Sequence, residues 1–233
     1  MKNQTRLLLL PAALAFALAA CQPASAPADT AVTPAATGTP STDAAVSEPA
    51  VEGVSGTYVM DPTHTTVIAQ WNHMGFSNPV ANFGDAEGTI VYNADDVSQS
   101  SVEVTLPLSG LNSFTDKFDE HLRSADFFDA ATFPVATFRS TSVESAGGNR
   151  LKVTGELTIK DITRPVTLDV TMNRFAEHPM LKRPAAGFDA TATFLRSDFG
   201  VGAYAPNVGD EVQLRITTEA VTAAPEEAAA DAG

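Results

Sequence analysis

Residues 150–172 read RLKVTGELTIKDITRPVTLDVTM. Leu151, Val153, Leu157 and Ile159 fall on one face, with Gly155 among them, while Lys152, Thr154, Glu156 and Lys160 fall on the other. After the polar turn around Asp161 the pattern resumes with Val166, Leu168, Val170 and Met172. A period of two is the signature of a strand with one face buried and one wet. The stretch therefore predicts two successive strands, each apolar on one side only.

The same period spreads outward in both directions. Val102, Val104, Leu106 and Leu108 alternate with polar residues before it; Phe188, Ala190, Ala192 and Phe194, then Val212, Leu214 and Ile216, follow it. Pro134 to Val143 and the β-branched, aromatic run Thr65 to Trp71 read as further strands. Val80 to Tyr92 reads as one long strand bent or bulged at Gly84 and Gly88. The count is about eight antiparallel strands, with no second set of helices to cover them. The expected fold is all-β: an eight-stranded antiparallel barrel, apolar face inward, with no exposed sheet edge. Eight strands leave a bore that is either filled by side chains or holds one small ligand. Gly155, Ala190 and Ala192 on inward positions favour room inside, although the same residues can make space for Phe188 and Phe194 in a filled core.

One segment breaks the period. In residues 114–138, FTDKFDEHLRSADFFDAATFPVATF, the apolar residues Phe114, Phe118 and Leu122 recur every four positions, the spacing of one helix face. Phe127, Phe128, Phe133 and Phe138 follow. A short helical insertion over about 114–129, with an aromatic underside, is expected to cap one end of the barrel.

The rest of the chain bounds its setting. Residues 1–20 carry Lys2 and Arg6 ahead of an apolar run of 14 residues, Leu7 to Ala20, too short to span a bilayer and typical of a secretory signal. The run ends in Leu18-Ala19-Ala20-Cys21, which resembles a bacterial lipobox, so cleavage before Cys21 and diacylglyceryl attachment to its thiol are expected. The alternative is ordinary cleavage at Ala24-Ser25-Ala26, which the following Pro27 disfavours. Two or three acyl chains at about 0.8 kcal/mol per buried methylene give a stable membrane anchor. Gln22, where enteric sorting would use Asp for retention, implies the outer membrane. Cys21 is the single cysteine, so no internal disulfide exists. Residues 21–55, rich in Ala, Pro, Thr and Ser, read as a disordered tether with a reach of roughly 30 Å. Residues 222–233 read as a disordered acidic tail, leaving one domain over residues 56–221.

That domain holds 21 Asp and Glu against 12 Lys and Arg, and the whole chain carries a net charge of −14. Nucleic acid, whose affinity for proteins comes largely from phosphate neutralisation, is excluded as a partner. Of His64, His73, His121 and His178, none has a spacing that converges on a metal site. No GxSxG elbow, dinucleotide fingerprint or phosphate loop is present, and Asp119-Glu120-His121 points three ways from a helix and reads as a solvated face. An enzyme is not expected, nor a cofactor or metal. Arg123, after the aromatic face, and Arg196, before Asp198-Phe199-Gly200, are candidates to meet a polar head group at a cavity mouth; the alternative is a surface ion pair with Asp119 or Asp198.

Several stretches together resemble the YceI-like family: Asp61-Pro62-Thr63-His64, Trp71-Asn72-His73-Met74-Gly75, Phe83-Gly84 with Gly88 downstream, His121-Leu122-Arg123-Ser124-Ala125-Asp126-Phe127-Phe128-Asp129 leading to Phe133-Pro134, Gly155 to Lys160, and Arg196-Ser197-Asp198-Phe199-Gly200. The likeness runs from about Thr57 to Glu219; Asp161, where a glycine is common, departs from it. It implies a lipocalin-like barrel that binds a long isoprenoid chain, a polyprenyl lipid or a quinone tail, on the periplasmic side of the cell envelope. It implies no agreed catalytic residues. On this basis Val104 and Leu106, Val153 and Leu157, Leu168 and Val170, Phe188 and Phe194, and Leu214 are expected to line the bore. Phe114, Phe118, Leu122 and Phe127 would form the lid, and His64, Arg123 and Arg196 would face the head group. The expected role is non-catalytic carriage or sequestration of the lipid; the alternative is a filled barrel serving as an envelope stress or interaction protein. The oligomeric state is open, a homodimer included.

Overall fold

The computed structural model describes residues 51–223. Its eleven strand segments are β1 (Gly56–Met60), β2 (Thr66–His73), β3 (Val80–Phe83), β4 (Glu87–Tyr92), β5 (Ser101–Pro107), β6 (Leu111–Asn112), β7 (Val135–Gly147), β8 (Arg150–Ile159), β9 (Ile162–Glu177), β10 (Pro184–Leu195) and β11 (Val208–Thr222). One helix, α1 (Asp116–Arg123), lies between β6 and β7. All pairings are antiparallel, and the order β1-β4-β5-β7-β8-β9-β10-β11 closes through a β1–β11 pairing. The molecule is an eight-stranded antiparallel closed barrel with one helix, as the alternation predicts.

Eleven segments make eight barrel strands because the first three are each broken once. β1 and β2 both pair with β11, through Tyr58–Met60 and then Thr66–His73. β3 and β4 form the second strand, and β5 and β6 the third. Each break has a chemical cause. At the first, Pro62 supplies no N–H to a ladder, and the Asp61 carboxylate accepts from the Thr63 amide at 2.8 Å, closing a single tight turn. At the second and third, Gly84 donates its N–H to Gly110 O at 2.9 Å. A Cβ on Gly110 would lie 2.4 Å from Gly84 O, so the two breaks pass each other at a distance that only glycine permits.

Register shifts in β7 and β9 re-aim side chains that a strict period of two would send outward. Opposite β8, the β7 register shifts between Ser140 and Ser142, which brings Val143 inside. Opposite β10, β9 skips Asn173, pairing Met172 with Phe188 and Arg174 with Gly187. Beyond this bulge Phe175 turns inward, where strict alternation from Met172 would have faced its neighbours in. Its ring meets Tyr58, Tyr92 and Phe188 at 5.8, 4.9 and 5.6 Å, an aromatic floor across one end of the barrel.

The ordered chain begins before Gly56. Val51 packs on the core, and the Tyr58 hydroxyl donates to Val54 O at 2.8 Å. Val51 and Val54, at the end of the expected tether, thus already touch the barrel domain. The signal segment, Cys21, the remainder of the tether and most of the acidic tail lie outside the described residues.

Candidate functional site

At the end opposite the aromatic floor the wall is breached. β6 pairs with β3 but not with β7, and residues 113–134 leave from Asn112 and return at Pro134, whose carbonyl accepts from the Leu108 amide at 2.9 Å. Two side chains fix the insert there. The Asp119 carboxylate, buried, accepts from the Ser113 amide at 2.6 Å and the Ser113 hydroxyl at 2.5 Å, and these bonds hold its carboxyl below the usual range. Arg123 Nε donates to Leu108 O at 3.0 Å, and its Nη2 donates to the carbonyls of Ser109 and Leu111. Asp119 is therefore a fixed anchor of α1 and not part of a solvated face.

Beneath the insert lies an apolar cavity of about 340 Å³, within the range of small-molecule sites. Phe118, Leu122, Phe127 and Phe128 roof it, with Trp71 against Phe118 (6.0 Å between rings) and Phe83 edge-on to Phe128 (5.6 Å). A second cavity of about 140 Å³ continues toward the floor, lined by Val104, Val153, Leu168, Val170 and Phe188 among others. The two share Val67, Leu106, Leu157 and Leu214, so they lie end to end inside the barrel with these side chains between them. Leu106, Leu168, Phe194 and Leu214 point inward yet are only half-buried, because they face this space.

The expected residues divide clearly. Leu106, Phe118, Leu122, Phe127, Leu157, Phe194 and Leu214 meet in the upper cavity, and Val104, Val153, Leu168, Val170 and Phe188 in the lower. Five expectations need correction. Phe114 precedes α1 in a left-handed conformation (φ 67°), is 76% exposed and does not reach the cavity. His64 sits on the outer wall in the turn between β1 and β2, its Nδ1 2.7 Å from Asp61 Oδ2; this bond holds the Asp61 carboxyl down at about 2 and pushes the His64 imidazole up. Arg123 is spent on the three carbonyls that pin α1. Arg196 lines the upper cavity and is buried, which lowers its pKa, but its guanidinium donates to Gly209 O (2.8 Å), Val201 O (2.7 Å), Ala203 O (2.9 Å) and Val208 O (3.0 Å). It clamps the loop 196–207 to β11. Gly155 does not leave room either, because the Phe138 ring fills it: a Cβ there would lie 2.4 Å from Phe138 Cζ.

Other lining residues carry weaker signals. Ala69, Trp71 and His73 continue the alternation of Val67, and Ala81 shares the face of Phe83. Tyr204, at the mouth and 57% exposed, lies in a loop without periodicity. Among the described residues no group of three or more His, Cys, Asp or Glu is placed to hold a metal.

A closed eight-stranded barrel with a nearly all-apolar bore, roofed at one end by one helical insert, defines a lipocalin-like fold. The model of the YceI-like domain matches residues 58–220, and the chain belongs to that family. Protein YceI of Salmonella arizonae is 34% identical over 158 residues, covering 68% of this chain and 82% of the relative, and the Salmonella paratyphi B protein matches equally. Among solved structures, Burkholderia cenocepacia BcnA superposes with a TM-score of 0.63 at 27% identity, covering 69% of this chain and 98% of that one. The Campylobacter jejuni YCEI protein gives 0.59 at 26%, covering 64% and 88%. A polyisoprenoid binding domain from Saccharophagus degradans, implicated in plant cell wall breakdown, gives 0.57 at 12% identity, covering 73% and 100%, and shares the fold.

Proposed function

We propose that this protein binds the tail of a long-chain isoprenoid lipid in its bore and carries or sequesters it in the cell envelope without catalysing its conversion. The observation that carries this reading is the pair of adjoining apolar cavities of about 340 and 140 Å³ inside the barrel. An extended hydrocarbon chain removed from water there gains about 25 cal/mol per Å² buried. A barrel of the same fold is described as a polyisoprenoid binding domain, which supports the choice of chain. The alternative of a filled barrel with no ligand is disfavoured by the same space. Lipid extraction and mass spectrometry on protein purified without detergent tests the reading. One prenyl lipid per chain is expected; no bound lipid and no uptake of added polyprenol or prenyl quinone overturns it.

The setting follows from the N-terminus. Residues 1–20 act as a lipoprotein signal, Cys21 carries the lipid, and residues 22–50 tether the barrel on the periplasmic side, at the outer membrane. Cys21→Ser is expected to release the protein from the membrane fraction; a processed variant that stays bound refutes the anchor.

A further inference from the structure

We propose that the helix-roofed end of the barrel is a docking face, on which Met74, Phe76, Phe114 and Tyr204 form an apolar rim that dips into the surface of an uncharged lipid bilayer. The purpose of such a contact rests on the proposed lipid binding. Its test does not, because the vesicles used carry no isoprenoid.

Four large apolar side chains stand in water at this end. Phe76 is 89% exposed at the tip of the β2–β3 hairpin, where the His73 amide donates to Ser77 O at 2.8 Å and the Phe76 amide donates to His73 O at 3.0 Å. Met74, in the same tip, is half exposed and also lines the upper cavity. Val208 joins the loop 196–207 to this hairpin: it pairs with His73, and its N–H donates to Tyr204 O at 2.9 Å. The Tyr204 ring, 6.1 Å from both His121 and Phe127, lines the cavity as well. Phe114 completes the rim. It lies two residues past Asn112, which pairs with Asn82 of β3, the strand that leaves the hairpin.

Two observations set these residues apart from scattered surface hydrophobics. The first is the backbone: Met74, Phe114 and Tyr204 have φ of 55°, 67° and 64°. Sterics select against a bulky residue in this left-handed region, and strained positions of this kind gather where a side chain serves a contact. The second is charge. Residues 71–84, 107–115 and 199–209, which build the rim, contain no Asp, Glu, Lys or Arg, in a chain of net charge −14. A protein partner would be met by a polar, charged surround, whereas a neutral tip of Phe, Tyr and Met suits the boundary between water and hydrocarbon. The insert then brings Asp116, Lys117 and Glu120, exposed on α1, so an anionic lipid adds no attraction. The rim consists of separate tips on three segments around the cavity roof, a shape that a deformable surface accommodates better than a rigid one. Because Met74 and Tyr204 belong to both rim and cavity lining, docking sets that lining against hydrocarbon. Four partly inserted side chains fall short of a stable anchor, so the contact is reversible and separate from the one at Cys21.

Cys21 is the single cysteine, so the processed chain carrying Cys21→Ser accepts one fluorophore at a chosen position. An environment-sensitive dye is placed on Ser77→Cys, at the rim, or on Met180→Cys, an exposed apolar site in the β9–β10 turn at the opposite end, and each protein is titrated with phosphatidylcholine vesicles. The rim dye is expected to shift to the blue and brighten; the other is expected to stay unchanged. Phe76→Ser combined with Phe114→Asn should weaken vesicle affinity by about tenfold or more. The urea midpoint and lipid retention without vesicles should not change, since both rings already stand in water. Phosphatidylglycerol in the vesicles should not strengthen binding. A response from both dyes or from neither overturns the proposal, as does an affinity that survives the double substitution or needs phosphatidylglycerol. A chain that ignores vesicles and self-associates through Phe76 gives the rim to a second copy and overturns it too. In each of these outcomes a co-purified prenyl lipid leaves the proposed function standing.

Discussion

Replacing Arg196 by Met separates a structural clamp from a ligand contact. The methionine keeps an apolar stem and removes a guanidinium that holds four carbonyls. The bonds to Val201 O and Val208 O are buried, those to Gly209 O and Ala203 O partly so. Each buried carbonyl left without a donor costs about 1–3 kcal/mol, and those that water can reach cost less. Removing the charge also returns its desolvation cost, which offsets part of the loss; a net destabilisation of about 3 kcal/mol follows. With a urea m-value of about 2 kcal/mol/M, the unfolding midpoint should fall by roughly 1.5 M at unchanged m. Urea titration followed by fluorescence of Trp71, the single tryptophan, reads this directly. Lipid content per folded molecule, measured in the same preparation, is expected to stay near the wild-type value. A midpoint that moves by less than about 0.5 M together with loss of bound lipid refutes the clamp and restores Arg196 as a head-group residue.

In the insert, Phe118→Ala is expected to accelerate lipid release more than it lowers stability, because the ring is half-buried and faces the cavity; Leu122→Ala, almost fully buried, should cost about 2–5 kcal/mol. Phe114→Ala should leave release unchanged and shift the unfolding free energy by no more than about 0.5 kcal/mol, since the ring is exposed. Gly155→Ala places a methyl 2.6 Å from Arg139 O as well as against Phe138, and overpacking of about 1–3 kcal/mol is expected, which Phe138→Leu relieves only in part because the carbonyl remains. The lowered pKa of Asp119 means that its stabilisation is fully present above the ordinary carboxylate range and fades as pH falls through the folded value. Asp119→Asn should therefore be less stable than wild type at pH 7, with the gap narrowing below about pH 4, measured by urea midpoints at each pH.

Much of the barrel is legible in the chain because one-sided burial writes itself as alternation. Leu151 to Ile159 and Val166 to Met172 lie inside as their period demands, and the single helical interruption stands where its fourfold spacing puts it. Legibility fails where a local event resets the period. The bulge at Asn173 and the shift near Thr141 change which residues face inward, so Phe175 escapes the pattern, and Phe114 stands one turn ahead of α1 in a left-handed conformation that swings it away. The charged side chains were harder still. Nothing in the spacing of Arg123, Arg196 or His64 reveals that each serves a break, a loop or a turn through backbone or carboxylate partners. The imidazole and phenol at the mouth, in contrast, come from a helix and an irregular loop that meet only after the barrel closes.

The aromatic floor has a consequence for traffic. With the rings of Tyr58, Tyr92, Phe175 and Phe188 packed across one end, the helix-roofed end is the readier door. On the proposed reading a lipid enters there tail first and backs out by the same route. On that reading, delivery from one membrane to another would require the whole protein to move with its cargo, and the proposed tether from Cys21 would set how far it reaches.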